Sequence, residues 1–260
     1  WKADLEVDLS AGPGVGEGYV VVASKDGDVI LLDSSTGQEQ WRKAIEGESL
    51  ARPLIDDNTI IIQTIDNRVV SLARVDGRQR WELEQTMPLL TMRGSASPLI
   101  VGPLIIAGFD NGRLAGIDME TGDIKWDSML SMSSGRSDLD RLSDVDGNIA
   151  VVGQDVYAAG YQGSLSAIAA ESGQTLWSRE ISSHVGVASD WNSIYTIRDD
   201  GEIIALRRNS GIEIWRNDKF LRRALTLPTP FNTAVVVGDY QGYLHFLSGI
   251  DGKQMARVRF

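Results

Sequence analysis

Short apolar runs alternate with glycine-containing turns along the whole chain. Near the N-terminus, the apolar run at residues 19–24 is followed by Asp26-Gly27, a pair that favours a tight hairpin turn. A second apolar run at residues 29–32 leads to a turn at Thr36-Gly37, and a short third run ends at Trp41. Because β-branched runs of this length indicate strands, the pattern predicts short antiparallel strands joined by tight turns.

The same order of runs and turns recurs along the chain. Further copies cover residues 60–81, 104–126, 156–177 and 194–215. Another short apolar run precedes each copy, as at residues 49–55 and 97–101. No stretch combines a helical period with capping residues at both ends, so little helix is expected. Each copy therefore predicts four short strands.

Tryptophan and glycine mark this repeat at fixed spacings. The tryptophans lie at Trp1, Trp41, Trp81, Trp126, Trp177 and Trp215, with Trp191 as an extra one. Each from Trp41 onward follows a glycine by four residues, and a second turn residue precedes that glycine by ten. These second turn residues are Gly27, Asn67, Gly112, Gly163 and Gly201. Asn67 is the residue that best tolerates a left-handed backbone after glycine. A sixth copy runs from Gly242 to Gly252 and has Ala256 at the tryptophan position.

A repeat of about 40 residues with four strands is the signature of a β-propeller blade. The predicted fold class is therefore all-β, a β-propeller of four-stranded antiparallel blades. We interpret the periodic tryptophans as wedges that dock one blade on the next, since an indole offers a large apolar area and an N–H donor. The docking residues are Trp41, Trp81, Trp126, Trp177 and Trp215. Trp191 and Tyr195 are expected to pack within a blade.

Composition and charge narrow the possible functions. The formal net charge of −11 makes nucleic acid an unfavourable partner. The absence of cysteine excludes disulfides, thiolate metal sites and cysteine nucleophiles. The two histidines, His184 and His245, lie in different repeats and are not expected to form a metal pair. No run is long enough to span a bilayer as a helix. No cofactor, metal or catalytic residue is predicted.

Longer motifs resemble those of known families. The pattern Gly-x-[Leu/Val]-x-x-[Leu/Ile], followed by [Thr/Ser]-Gly-x-x-x-Trp, resembles the repeat of pyrroloquinoline-quinone (PQQ) enzymes and their non-enzymatic relatives. Three segments are similar to the BamB family, the lipoprotein propellers of the bacterial outer-membrane β-barrel assembly machinery. They are Met87-Pro-Leu-Leu-Thr-Met-Arg-Gly-Ser-Ala-Ser-Pro98, Asp140-Arg-Leu-Ser-Asp-Val-Asp146 and Val237-Gly-Asp-Tyr-Gln-Gly-Tyr-Leu-His245.

This resemblance implies a ring of eight blades, whereas the chain supplies six full repeats and Trp1 as the tail of an earlier one. The expectation is a single propeller domain over residues 1–260 that is either a fragment or an incomplete ring. Any signal peptide or lipid-anchor cysteine would lie upstream of Trp1.

Two connections between repeats are longer than the others, at residues 82–97 and 127–148. Both follow a tryptophan of the fourth strand, so both are expected on the face that carries the turns between the second and third strands. Loops held by a rigid scaffold are where binding residues concentrate. The first is apolar and then basic, which suits a protein partner. The second contains an acidic cluster but lacks the ligand pattern of a calcium loop.

In the BamB family these two loops meet the POTRA domains, the periplasmic repeats of the barrel-assembly protein BamA. By resemblance, the family's Leu-x-Leu-Arg motif falls on Leu90, Met92 and Arg93, with methionine in place of the second leucine. Its Asp-x-Asp motif falls on Asp144 and Asp146. The resemblance implies a periplasmic location at the outer membrane, with membrane contact only through an N-terminal lipid anchor absent from this chain. Unfolded outer-membrane clients, added as strands to the blade edges, are a further candidate partner.

The sequence is consistent with three functions. The first is a non-catalytic scaffold that assists the insertion of β-barrel proteins into the outer membrane. The second is a generic protein-binding propeller. The third is a PQQ-dependent dehydrogenase, a class that resembles this chain in its repeat but carries a vicinal cysteine pair and a calcium cage.

Overall fold

A computed structural model describes residues 1–88, 96–131, 144–145 and 147–259. Within these ranges the chain forms six four-stranded antiparallel sheets, each built from consecutive strands in sequence order. We call the strands of each sheet A, B, C and D in chain order. This confirms the predicted all-β architecture of four-stranded antiparallel blades.

The first three sheets contain β1–β12. Their bounds are β1 Gly14–Gly16, β2 Tyr19–Ala23, β3 Asp28–Asp33, β4 Glu39–Ala44; β5 Leu54–Ile55, β6 Thr59–Gln63, β7 Arg68–Ala73, β8 Gln79–Glu84; β9 Leu99–Val101, β10 Leu104–Gly108, β11 Arg113–Asp118 and β12 Ile124–Met129.

The last three sheets contain β13–β24. Their bounds are β13 Ala150–Val152, β14 Asp155–Ala159, β15 Leu165–Ala169, β16 Thr175–Arg179; β17 Val187–Ser189, β18 Ser193–Ile197, β19 Ile203–Arg207, β20 Glu213–Asn217; β21 Thr229–Phe231, β22 Ala234–Gly238, β23 Tyr243–Ser248 and β24 Gln254–Arg259.

Apolar side chains of the B and C strands form the core, which lies between consecutive sheets. In the layer between the first two sheets, Val21 and Leu31 pack against Ile60 and Val70. Every residue of β6 and β10 is buried, whereas β4 is polar and mostly exposed. A sheet that is apolar on both faces must be covered on both sides, and stacking sheet against sheet achieves this.

Each tryptophan of the repeat contacts the next sheet along the chain. The indole Nε1 donates a hydrogen bond of 2.7–3.0 Å to a backbone carbonyl in the following C–D turn. The pairs are Trp1 with Ser34, Trp41 with Arg74, Trp81 with Met119, Trp126 with Ala170, Trp177 with Arg208 and Trp215 with Gly249. The ring also lies against the glycine of that turn, as Trp126 does on Gly173.

The apolar run that ends at Trp41 predicts a strand that ends there, and this prediction is wrong. β4 runs three residues past Trp41, to Ala44. The register between the C and D strands shifts by one residue just before each tryptophan position, which leaves one extra residue on the D strand. Such a bulge increases local twist and re-aims the neighbouring side chain. It therefore turns the indole toward the next sheet while the strand continues.

The turn residues that precede the glycines of the repeat by ten positions have a positive φ, with one exception. Asn67 has φ 61°, the left-handed conformation that the glycines adopt at four of the other positions of this type. At the fourth repeat, however, Gln162 takes the positive φ of 51° in place of Gly163. The glycine is needed there for space instead, because a Cβ on Gly163 would lie 2.5 Å from the Leu130 carbonyl oxygen.

Across the described ranges, no helix reaches the length and apolarity that crossing a membrane requires.

Candidate functional site

The B–C turns and the D-to-A connections meet at one end of the sheets, which we call the loop face. Backbone hydrogen bonds join them: Ile45 N donates to Gly27 O, and Leu130 N donates to Gly112 O, both at 2.9 Å. The A–B and C–D turns lie at the other end, which we call the turn face. Both long connections, residues 85–98 and 130–149, start and finish at the loop face.

Asn67 anchors the base of the first long connection. Its backbone carbonyl accepts a hydrogen bond from Gln85 N at 3.0 Å, and its side-chain Oδ1 accepts one from Asp110 N of the next sheet at 3.2 Å. Asn111 Nδ2 then donates to Thr86 O at 3.4 Å. The asparagine therefore does more than adopt the left-handed turn, since its side chain ties the second sheet to the third below this loop.

The base of the second long connection is fixed to three sheets. Tyr161 N donates to Asp144 O at 2.8 Å, and Val145 N donates to Phe109 O at 3.3 Å. Further along, Asn148 forms a parallel bridge with Gly186, and its side-chain Nδ2 donates to Val187 O at 2.7 Å. The last residues of this connection are therefore held at a defined place on the scaffold.

The predicted partner-binding residues fall mainly outside the described residues. Leu90, Met92 and Arg93 lie in residues 89–95, and Asp146 is also outside the described ranges. Asp144 is described and is buried, with 1% of its surface exposed. In this position its side chain is covered by the protein and stands at the base of the loop. The five docking tryptophans are all described and make the contacts given above.

Carboxylates surround one arginine beside the first long connection. Arg68 Nη1 lies 2.9 Å from Glu46 and 3.2 Å from Glu82, and its Nε donates to Asp66 at 2.8 Å. The hydrogen bonds that Arg68 donates to Glu46 and Asp66 raise its pKa above the ordinary value for arginine. Three carboxylates share a single cation, so this part of the loop face carries excess negative charge and favours basic groups on a partner.

A serine, an aspartate and a histidine also meet on the loop face. Asp199 Oδ1 lies 2.9 Å from His184 Nδ1, and its Oδ2 accepts a hydrogen bond from the Ser182 hydroxyl. Burial acts to raise the pKa of Asp199, but these hydrogen bonds outweigh it and hold the pKa below its ordinary value. The carboxylate stands between the hydroxyl and the imidazole, whereas a nucleophilic triad needs the imidazole in the middle. This cluster could not be predicted from the sequence, because its members come from two separate turns.

His245 is buried and also faces an aspartate, with Nε2 2.9 Å from Asp239 Oδ2. The two histidines are thus held by different carboxylates in different sheets. Among the described residues, no group of three or more acidic or histidine side chains is placed to hold a metal ion.

Comparison with known proteins identifies relatives over the whole chain. The family model described as "Outer membrane protein assembly factor BamB" matches residues 1–217. The BamB of Pseudomonas aeruginosa is 40% identical over 259 residues, which cover 100% of this chain and 68% of that protein. The BamB of Yersinia pestis is 36% identical over 249 residues, which cover 96% of this chain. The chain spans 63% of the length of that relative.

Solved structures agree with this match. The crystal structure of BamB from Moraxella catarrhalis superposes with a TM-score of 0.94 at 28% identity, covering 100% of this chain and 79% of the other. A europium-containing methanol dehydrogenase superposes with a TM-score of 0.75 at 11% identity, covering 99% of this chain and 72% of the other. The second likeness is one of fold alone.

Proposed function

Because the chain belongs to the BamB family of outer membrane protein assembly factors, we propose that it is a non-catalytic scaffold in the assembly of outer-membrane β-barrel proteins. In this proposal it acts at the periplasmic face of the outer membrane, and the full-length protein is held there by an N-terminal lipid anchor. Its partner is the set of POTRA domains of the barrel-assembly protein.

The observation that carries the proposal is the shared origin of the two long connections. Both leave the loop face, and the bases of both are tied by hydrogen bonds to neighbouring sheets through Asn67, Asn111, Tyr161 and Asn148. A rigid base reduces the conformational entropy that a loop loses on binding. Two loops whose bases are fixed in this way suit one extended protein interface.

Within this interface we assign direct contacts to Leu90, Met92, Arg93 and Asp146. Asp144 acts as a positioning residue, because its side chain is buried and its backbone carbonyl accepts the hydrogen bond from Tyr161. The apolar residues supply buried contact area and Arg93 pairs with a carboxylate of the partner. The excess carboxylates around Arg68 favour basic groups elsewhere on the same partner.

A dehydrogenase function is disfavoured by the chain's own residues. The likeness to a methanol dehydrogenase is 11% in identity and concerns the fold. The vicinal cysteine pair of PQQ-dependent enzymes has no counterpart in a chain without cysteine. A generic binding propeller would use the same face, and the identity of the partner decides between the two.

The test is a binding titration of this chain with the isolated POTRA segment, in which binding is measured by calorimetry or fluorescence anisotropy. We expect Arg93→Glu to raise the Kd at least about tenfold, because a reversed charge at a packed interface meets a carboxylate. The matched control is Arg78→Glu, which makes the same charge change at an exposed residue of the turn face.

Equal affinities of the Arg93→Glu and Arg78→Glu variants would contradict the assignment of the interface to the loop face. Failure of the folded, unsubstituted chain to bind would contradict the proposed partner and leave the generic binding propeller.

A further inference from the structure

Trp191 is the tryptophan outside the repeat, and the expectation that it packs within a blade is wrong. It lies in an A–B turn of the turn face, two residues before β18, and 76% of its surface is exposed. Tyr195, in contrast, is buried as expected. In the other five sheets the residue at the same turn position is small or polar: Glu17, Asp57, Gly102, Gly153 and Asn232. The turn itself therefore does not require an indole.

The turn holds Trp191 rigidly in this exposed position. Asp190 Oδ1 accepts hydrogen bonds from Asn192 N and Ser193 N, both at 2.7 Å, and its Oδ2 accepts one from the Tyr195 hydroxyl at 2.7 Å. Both carboxylate oxygens are thus engaged below the indole. A large aromatic side chain on a fixed turn loses little conformational entropy on binding, which favours its use as an anchor for a partner.

Arg208 supports the indole from the adjacent C–D turn. Its Nε donates to Trp191 O at 3.0 Å, and its guanidinium carbon lies 5.9 Å from the indole centroid. Its Nη1 reaches Asp155 at 3.1 Å and the Tyr157 hydroxyl at 3.2 Å in the preceding sheet. The charge of Arg208 is therefore balanced by Asp155, and its main effect is to hold the turn and the ring in place.

Trp191 begins an apolar strip that crosses from the fifth sheet to the sixth. Two depressions of about 280 and 350 Å³ are neighbours, because Asn192 and Ile214 line both of them. The first also includes Trp191, and the second includes Ile250, which is 83% exposed. Ile214 is the extra residue of the bulge that precedes Trp215, which explains why this isoleucine faces outward. Asn209 and Asn232 border the strip with amide groups.

One exposed arginine borders the strip, although the chain as a whole is acidic. Arg207 is exposed and lines the first depression. No salt bridge to Arg207 is present among the described residues, whereas the nearby carboxylates of Asp190 and Asp155 are already engaged. A partner that reaches this strip therefore gains from a carboxylate opposite Arg207.

We propose that the strip formed by Trp191, Ile214 and Ile250 binds an extended polypeptide segment of a partner protein, one whose apolar side chains are flanked by carboxylates. The apolar side chains cover the indole and the isoleucines, and a carboxylate pairs with Arg207. The bordering asparagine amides pair with the backbone of the segment, which needs donors and acceptors when it is removed from water. The strip lies at the opposite end of the sheets from the long connections, so it binds independently of the interface proposed above.

The test uses a fluorescein-labelled synthetic peptide of twelve residues with alternating leucine and aspartate. Its binding to the chain is measured by fluorescence anisotropy. We expect Trp191→Asp to weaken binding at least about tenfold, since it removes the central apolar anchor. The turn at Asp56-Asp57-Asn58 already carries aspartate at this position, and Asp56 N donates to Thr59 O as Asp190 N does to Ser193 O. The variant is therefore compatible with the fold. The matched control is Val75→Asp, which adds the same charge at another exposed apolar residue of the turn face.

A second measurement locates the contact. In a ¹H–¹⁵N spectrum the peptide is expected to shift the indole signal of Trp191 and to leave the indoles that are bonded to carbonyls unchanged. Arg207→Glu is expected to weaken binding, and a peptide with lysine in place of aspartate is expected to bind more weakly. Absence of binding, equal binding by Trp191→Asp and Val75→Asp, or preference for the lysine peptide would overturn the proposal. A shift of the Trp191 signal with protein concentration alone would assign the strip to self-association and would also overturn it.

Discussion

Replacing Trp126 by alanine is expected to lower the free energy of unfolding by about 3–5 kcal/mol, the usual cost of removing a large buried aromatic side chain. Trp126 is 8% exposed, and its Nε1 donates to Ala170 O at 2.7 Å. The ring lies between two glycines: a Cβ would stand 2.3 Å from it at Gly116 and 2.7 Å from it at Gly173. Alanine would leave a cavity between two sheets and a buried carbonyl without its donor. Urea denaturation measures the loss.

The control is Trp191→Ala, which is expected to change the free energy of unfolding by no more than about 0.5 kcal/mol because that side chain is exposed. Gly173→Ala, made once in the unsubstituted chain and once in the Trp126→Ala variant, isolates the contact between residue 173 and the ring. The strain from its φ of 70° is the same in both, whereas the clash with the indole exists only when Trp126 is present. Equal unfolding midpoints for Trp126→Ala and Trp191→Ala would contradict the docking role.

The cross-strand partners of the tryptophans show why the repeat could be found from the sequence. Four of the five docking tryptophans lie directly opposite a small residue, whereas Trp41 lies opposite Leu31. The small partners are Ser71, Gly116, Ala167 and Ala205. In the sixth sheet the tryptophan position holds Ala256, and Phe246 stands opposite it. The volume between sheets is thus shared between two positions with a fixed spacing. A constraint of this kind recurs in most of the described sheets and leaves a periodic pattern in the sequence.

Features that break the repeat were harder to predict. The position of a residue in the repeat indicates which strand it belongs to. The exposure of a side chain in a turn depends instead on whether the neighbouring sheet covers it. Trp191 therefore could not be distinguished from the docking tryptophans by its residue type. The left-handed turn at Asn67 is predicted from its spacing and is confirmed by its φ of 61°. Its bond to Asp110, however, joins residues 43 apart, and no local pattern encodes that contact. The contact between Ser182, His184 and Asp199 could not be predicted either, because it also joins residues of separate turns.

In the candidate loops, too, some features follow from the repeat and others depend on contacts between distant residues. Their length and common face follow from two long intervals between tryptophans, because strand order fixes which end of a sheet each connection leaves. The burial of Asp144 does not follow from the interval, since it depends on how the loop base packs against Phe109 and Tyr161. Sequence thus predicted where the loops begin but not which acidic residue is covered.

The second large effect is expected in the sixth sheet, where Asp239 is buried in a B–C turn. Its Oδ1 accepts hydrogen bonds from Gln241 N at 3.0 Å and Tyr243 N at 3.1 Å. Its Oδ2 lies 2.9 Å from His245 Nε2 and 3.0 Å from Arg223 Nη1. The aspartate and the histidine belong to the Val237–His245 motif, so this network explains two of its residues. Burial acts to raise the pKa of Asp239, but the hydrogen bonds outweigh it and hold the pKa well below its ordinary value.

We expect Asp239→Ala to lower the free energy of unfolding by about 3–5 kcal/mol at pH 7, because it leaves a buried histidine, an arginine and two turn amides without their acceptor. The comparison variant is Asp251→Ala, whose partner Lys253 lies 2.8 Å away at the surface. Exposed pairs of this kind contribute little, so no comparable loss is expected there. Thermal and urea denaturation of the two variants side by side provide the measurement.

The effect of Asp239→Ala should also depend on pH in a defined direction. A carboxyl whose folded pKa is lowered contributes stability that is present above its unfolded pKa, near 3.9, and is lost as the pH falls toward the folded pKa. The difference between the unsubstituted chain and the variant is therefore expected to shrink as the pH falls from about 4 to 2.5. This window lies below the range in which histidines ordinarily titrate, so the change reports on the carboxyl. A difference in unfolding free energy that stays constant over this window would show that the Asp239 charge does not stabilise the sheet.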